Sequence, residues 1–152
     1  MATTTAAARN LEQQLGTVRE AMTSKVVLLL ADMRADAALR RLEHTSVSGA
    51  PVVDHGRVVG VITQRDLIVP TLIPAAVESI PGQPPRHRVR DLMSDDPITG
   101  QADWSLARAS RTMVDNGVNR LPIVDGQGRP MGILTRDDVL RALARRVPAA
   151  QI

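Results

Sequence analysis

The sequence predicts an α/β (α+β) fold of two pseudo-symmetric repeats, each in the order β-α-β-β-α, packed through their sheets about a pseudo-two-fold axis. The first observation behind this is self-similarity about 71 residues apart. Val18-Arg19-Glu20-Ala21-Met22-Thr23 returns as Val89-Arg90-Asp91-Leu92-Met93-Ser94, and Ala31-Asp32 returns as Ala102-Asp103. Val47-Ser48-Gly49-Ala50-Pro51-Val52-Val53-Asp54 returns as Val118-Asn119-Arg120-Leu121-Pro122-Ile123-Val124-Asp125. The register then slips by one, so that Gly60-Val61-Ile62-Thr63 matches Gly132-Ile133-Leu134-Thr135. An ordered series of matches needing a single shift marks a duplicated unit. The second observation is the alternation of amphipathic helical spacing with short Val- and Ile-rich runs of strand length. The third is size: a chain of 152 residues buries roughly two-thirds of its unfolded surface, enough for one shared core and not for two independent large ones. The reading places the first repeat at 10–69, a Pro-rich linker at 70–87 and the second repeat at 88–148.

Leu11, Leu15, Val18 and Met22 lie on one face of a helix over 10–22, interrupted at Gly16. Residues 1 to 9 and 149 to 152 are expected to fray. Asp32 is expected to cap a helix to Glu43, with Ala35, Ala38, Leu39 and Leu42 inward. Its twin starts at Asp103, turns Leu106, Ala109 and Met113 inward and stops at Asn116-Gly117. Two hairpins follow: 50–53 with 58–62 across His55-Gly56, and 121–124 with 131–134 across Gly126-Gln127-Gly128. Helices over 65–69 and 136–147 close the repeats. The prolines at 70, 74, 81, 84 and 85 exclude a regular helix or central strand between the repeats.

Composition narrows the function. No apolar run approaches the ~18 residues a membrane helix needs, and no secretory leader is evident, so a cytoplasmic protein is expected. The absence of cysteine removes disulfides and thiolate chemistry and fits a reducing compartment. Net charge is +3, carried almost wholly by arginine. The arginines are scattered, and Trp104 is the one aromatic side chain, so nucleic-acid binding is the disfavoured reading. His44, His55 and His87 are too dispersed for a metal site. No Ser-His-Asp arrangement, zinc spacing or Gly-rich phosphate loop occurs, which argues against an enzyme.

The recurring Thr63-Gln64-Arg65-Asp66 and Thr135-Arg136-Asp137-Asp138 follow a strand and open a helix. Such a pair forms a variant capping box. The same geometry offers amide groups to phosphate and a carboxylate to ribose hydroxyls. In combination, the Met-Thr/Ser opening, Val-x-x-x-Pro-Val/Ile-Val-Asp and the Gly-apolar-apolar-Thr-x-x-Asp ending resemble the CBS domain. A tandem pair resembles a Bateman module, here over residues 17 to 147.

That resemblance implies a cleft between the repeats that takes adenosine-type ligands: AMP, ADP, ATP or S-adenosylmethionine. By the resemblance, Asp66 and Asp138 receive the ribose hydroxyls, and Thr63 and Thr135 lie near ribose or α-phosphate. Val47, Ala50 and Pro51, with Val118, Leu121 and Pro122, line adenine, and Arg120 supplies a cation whose twin is Gly49. Arg65 adds positive charge where its twin Asp137 adds negative, so the sites are expected to be unequal, with the Asp66 site favoured by a phosphorylated ligand. The expectation is a stand-alone regulatory sensor and homodimer, needing no cofactor and acting on a separate protein target. The rival reading is a structural or dimerisation module with empty clefts.

Overall fold

The computed structural model describes residues 2–72 and 87–146. In chain order these form α1 (Ala2–Leu15), α2 (Val18–Ala21), β1 (Leu29–Leu30), α3 (Ala35–His44), β2 (Gly49–Asp54), β3 (Arg57–Thr63) and α4 (Gln64–Leu72). Then come α5 (Val89–Leu92), β4 (Ser94–Asp95), α6 (Leu106–Asp115), β5 (Arg120–Val124), β6 (Pro130–Thr135) and α7 (Arg136–Ala144). The chain divides into two compact units, 26–97 with 127–130, and 1–25 with 98–126 and 131–152. These units do not follow the repeats. The opening segment of each repeat folds with the body of the other.

In the unit holding the first repeat, the sheet runs β1-β2-β3-β4. β1 is parallel to β2, while β2–β3 and β3–β4 are antiparallel. The β2–β3 turn uses His55 (φ 49°) and Gly56 (φ 78°). Two successive positive φ angles suit a two-residue hairpin whose twist matches its strands. The inner face of α3, Ala35, Ala38, Leu39 and Leu42, packs with Leu29, Val52, Ile62, Leu67 and Val89. Val89 is thus a second-repeat residue in the first repeat's core.

The other unit repeats the plan with shorter edges. β5 and β6 form a hairpin, flanked by a parallel bridge from Gly100 to Ile123 and an antiparallel bridge from Thr23 to Ile133. Its core joins Val18 to Ala102, Leu106, Ala109, Met113, Leu121, Ile123 and Leu134. Trp104 packs at the edge of this core, with the Arg108 guanidinium 3.9 Å from its ring centroid.

Backbone hydrogen bonds seat the exchanged segments in matching ways. Val18 N donates to Trp104 O and Arg19 N to Ala102 O, both at 2.9 Å. Val89 N donates to Met33 O and Arg90 N to Ala31 O, again at 2.9 Å. This seating moves the helix starts. Asp32 and Asp103 do not cap helices, because each lies in a turn, closed by Met33 N donating to Leu30 O and by Trp104 N donating to Gln101 O, and the chain is extended at Arg34 and Ser105 before each helix begins. α3 instead begins after Arg34, and α6 after Ser105, whose hydroxyl accepts from Arg108 N. Asp32 pairs with Arg90 of the crossing segment.

Other boundaries shift for local reasons. Residues 2–9, expected to fray, continue α1, whose end at Gly16 (φ 81°) is the expected interruption. α4 runs past Pro70 to Leu72; a proline in the last turn removes one intrahelical bond and leaves little helix beyond it to lose. The expected linker from 73 to 86 and the end from 147 to 152 lie outside the described residues. α6 stops at Asn116 and Gly117 (φ 64°), as expected. Among the described residues no helix is long and apolar enough to cross a membrane.

Candidate functional site

Each Thr-x-x-Asp motif sits at the junction of an inner strand and the helix after it. Thr63 ends β3 and Asp66 lies in the first turn of α4. The Asp66 Oδ2 atom accepts from Thr63 N at 2.8 Å and from Thr63 Oγ1 at 2.9 Å. Asp66 N donates back to Thr63 Oγ1 at 3.3 Å. The second copy has nearly the same geometry: Asp138 Oδ2 accepts from Thr135 N at 2.8 Å and Thr135 Oγ1 at 2.9 Å, and Asp138 N donates to Thr135 Oγ1 at 3.2 Å. The capping role is therefore real in both.

Neighbouring residues of each motif are tied to the segment that enters the preceding strand. Gln64 N donates to Ser48 O at 2.9 Å, and Gln64 Nε2 to Val47 O at 3.0 Å. In the other copy Arg136 N donates to Asn119 O at 3.0 Å. Pairing of Gly49 with Thr63, Ala50 with Ile62 and Pro51 with Val61 places the first segment expected to line adenine alongside the first Thr-x-x-Asp strand. Ala50 and Pro51 are buried and Val47 half-buried; Leu121 and Pro122 are buried, Val118 and Arg120 half-buried. Arg65 and Asp137 are exposed.

A carboxylate has about four lone-pair positions. Capping uses Oδ2 in both motifs, so what remains depends on Oδ1. Among the described residues, Asp66 Oδ1 accepts no hydrogen bond. Asp138 Oδ1 accepts from Arg141 Nη2 at 2.7 Å, and the Asp138 side chain is only 5% exposed. Val69 stands at the position matching Arg141, with no charge to offer. Sequence reasoning missed Arg141, although its i,i+3 spacing from Asp138 on a helix was a usable signal.

Asp138 and Arg141 open onto a cavity of about 260 Å³ that Thr17, Glu20, Arg145 and Arg146 also line. Arg146 and Glu20 are 3.8 Å apart across it. Val118 lies elsewhere, in a more apolar cavity of about 280 Å³ with Met113, Arg136 and Val139. Within this unit the structure brings Thr135 and Asp138 together, and it sets Val118 in a different cavity from Asp138.

A family model for the CBS domain matches residues 18–69 and 89–145. A CBS domain-containing protein of Dictyostelium discoideum is 31% identical over 132 residues, covering 84% of this chain and 91% of that protein. Among solved structures, CBSX2, a CBS-pair protein of Arabidopsis thaliana crystallised in complex with AMP, is similar with a TM-score of 0.70 at 30% identity, covering 86% of this chain and 97% of that one. The cytosolic domain of the Mg2+ channel MgtE in complex with ATP is similar with a TM-score of 0.64 at 32% identity, covering 79% and 46% respectively. Some curated relatives are longer, and the chain spans 51% and 24% of two of them.

Proposed function

Because this chain belongs to the CBS-domain family, we propose that it is a regulatory module that binds an adenosine-type ligand and performs no catalysis. The observation that carries this reading is the duplicated Thr-x-x-Asp, with a carboxylate held at fixed geometry in each copy. Asp66 retains Oδ1 for the vicinal hydroxyls of a ribose. The hydroxyls of Thr63 and Thr135 sit at the same helix starts, where the positive end of the helix dipole favours phosphate. Val47, Ala50 and Pro51 supply an aliphatic wall of the kind that holds a purine without aromatic stacking. The AMP complex of a CBS-pair relative at 30% identity supports the ligand class.

In this reading Arg120, Leu121 and Pro122 serve the second copy as Gly49 to Pro51 serve the first, while Val118, which lines a different cavity from Asp138, does not share the role of Val47. No cofactor is required, and the signal passes to a protein target. The protein acts as a homodimer: Val114, Leu140 and Leu143 on α6 and α7 are exposed apolar side chains, and closed two-fold pairing is the usual way to cover such a surface. The test is a thermal-shift panel of AMP, ADP, ATP, S-adenosylmethionine and guanine nucleotides. Stabilisation by adenine ligands and not guanine nucleotides is the expected result; no response to any of them defeats the reading.

A further inference from the structure

We propose that the Asp138–Arg141 pair is a latch that makes the second Thr-x-x-Asp site depend on phosphate, so that it takes adenosine phosphates and rejects the bare nucleoside. The inference rests on the adenosine-ligand reading above and adds to it a requirement set by one residue.

Asp138 is almost wholly buried, and its Oδ1 is committed to Arg141 Nη2 at 2.7 Å. A ribose that brings both vicinal hydroxyls to that carboxylate must displace the guanidinium, because three of its roughly four lone-pair positions are already taken. Its two hydroxyls can replace the donor that Asp138 loses, but they are neutral, and the nearly buried carboxylate is left without its counter-charge. Breaking a pair that holds a buried charge is costly. A phosphate on the same ligand offsets that loss by pairing with the displaced Arg141.

The cavity is built for the exchange. The Arg141 side chain is 65% exposed, so its guanidinium can turn away from Asp138 by changing rotamer. Arg145 and Arg146, one turn further along, line the same cavity of about 260 Å³. Arg146 faces Glu20 at a loose 3.8 Å. Three guanidinium groups therefore surround a space that holds two carboxylates, and planar guanidinium donors suit phosphate oxygens. The first copy has Val69 in place of Arg141, so its Asp66 is unlatched and its affinity follows the nucleoside more than the phosphates, the reverse of the preference expected from Arg65.

Calorimetry on the Asp66→Ala protein, which leaves only the Asp138 site, separates the outcomes. ADP is expected to bind at least about tenfold tighter than adenosine, the scale of one charge-assisted contact. Arg141→Met should weaken ADP about tenfold and tighten adenosine, collapsing the ratio. Arg145→Gln leaves the latch intact and should weaken ADP alone, which keeps the idea falsifiable if Arg141→Met does not fold. An unchanged ratio in Arg141→Met, equal losses of both ligands, or an unchanged ADP affinity in Arg145→Gln overturns the latch. Nucleotide binding by the unsubstituted chain but none by Asp66→Ala also overturns it while sparing the broader reading. An unsubstituted chain that binds neither ligand removes both.

Discussion

The carbonyl oxygen of Thr23 lies so close over Gly132 that a Cβ on that glycine would be 2.7 Å from it. The same relationship recurs between Gly60 and Ser94 O, at 2.8 Å, with the Met93 sulfur at 2.6 Å. Each Met-Thr/Ser opening thus crosses the glycine of the strand that leads to the Thr-x-x-Asp of the other copy. Two motifs that stand far apart in the sequence are two sides of one backbone crossing.

Gly132→Ala and Gly60→Ala should each destabilise the fold by about 1–3 kcal/mol, the cost of overpacking against backbone that cannot move aside. Urea denaturation is the measurement. Gly126→Ala, where a Cβ meets nothing within 4 Å, serves as the control and should change stability little.

Separating the repeats should unfold them. A fragment beginning at residue 88 lacks Val18 and the Thr23 bridge to Ile133, and a fragment ending at residue 83 lacks Val89 and the β4 strand. Circular dichroism of either half should show a poorly folded or self-associated chain. Two stable monomeric halves would contradict the exchanged segments.

Asp66→Ala should abolish most of the heat of adenosine binding, and Asp138→Ala should cost less of it, because Arg141 already occupies Oδ1 of Asp138. Both substitutions also remove a helix cap, worth about 1 kcal/mol of stability. Binding must therefore be compared well below the unfolding temperature of each variant. Equal losses of heat would sink the asymmetry.

Asp36 gives a pH dependence of known sign. Burial works against its ionisation, but the Arg34 hydrogen bond, the Ala37 amide and the charges of Arg34 and Arg40 outweigh this and hold its carboxyl below the ordinary 3.8. A depressed folded-state value means that its contribution is complete above 3.8 and is lost as pH falls through the lower folded value. Asp36→Asn should cost less than about 1 kcal/mol at neutral pH, since Arg34 and Arg40 are largely exposed. The gap to the unsubstituted chain should close in acid-unfolding curves below pH 4.

Light scattering at micromolar concentration should report about twice the 16.4 kDa of one chain if the exposed α6 and α7 side chains pair two copies. Leu140→Asp should then give monomers that still fold.

Periodicity and repetition by themselves determined the two copies, the inner faces of α3 and α6, both hairpins and the position of each Thr-x-x-Asp at a helix start. These depend on residues near one another in the chain: apolar spacing, turn glycines and a hydroxyl three residues from a carboxylate. The combined motifs also sufficed for the CBS family. Tertiary structure decided which copy receives each opening segment. Nothing local in Val18 or Val89 distinguishes one apolar surface from its twin, and only long-range packing with Ala102 and Leu106, or with Leu29 and Ala35, settles it. The same packing moved the helix starts beyond Asp32 and Asp103, whose local capping potential yielded to backbone bonds with the crossing strand. It likewise decided that Arg141 closes on Oδ1 of Asp138: the spacing, and Val69 in its place in the first copy, are visible in the sequence, but commitment of Oδ1 depends on the burial that makes a lone carboxylate costly.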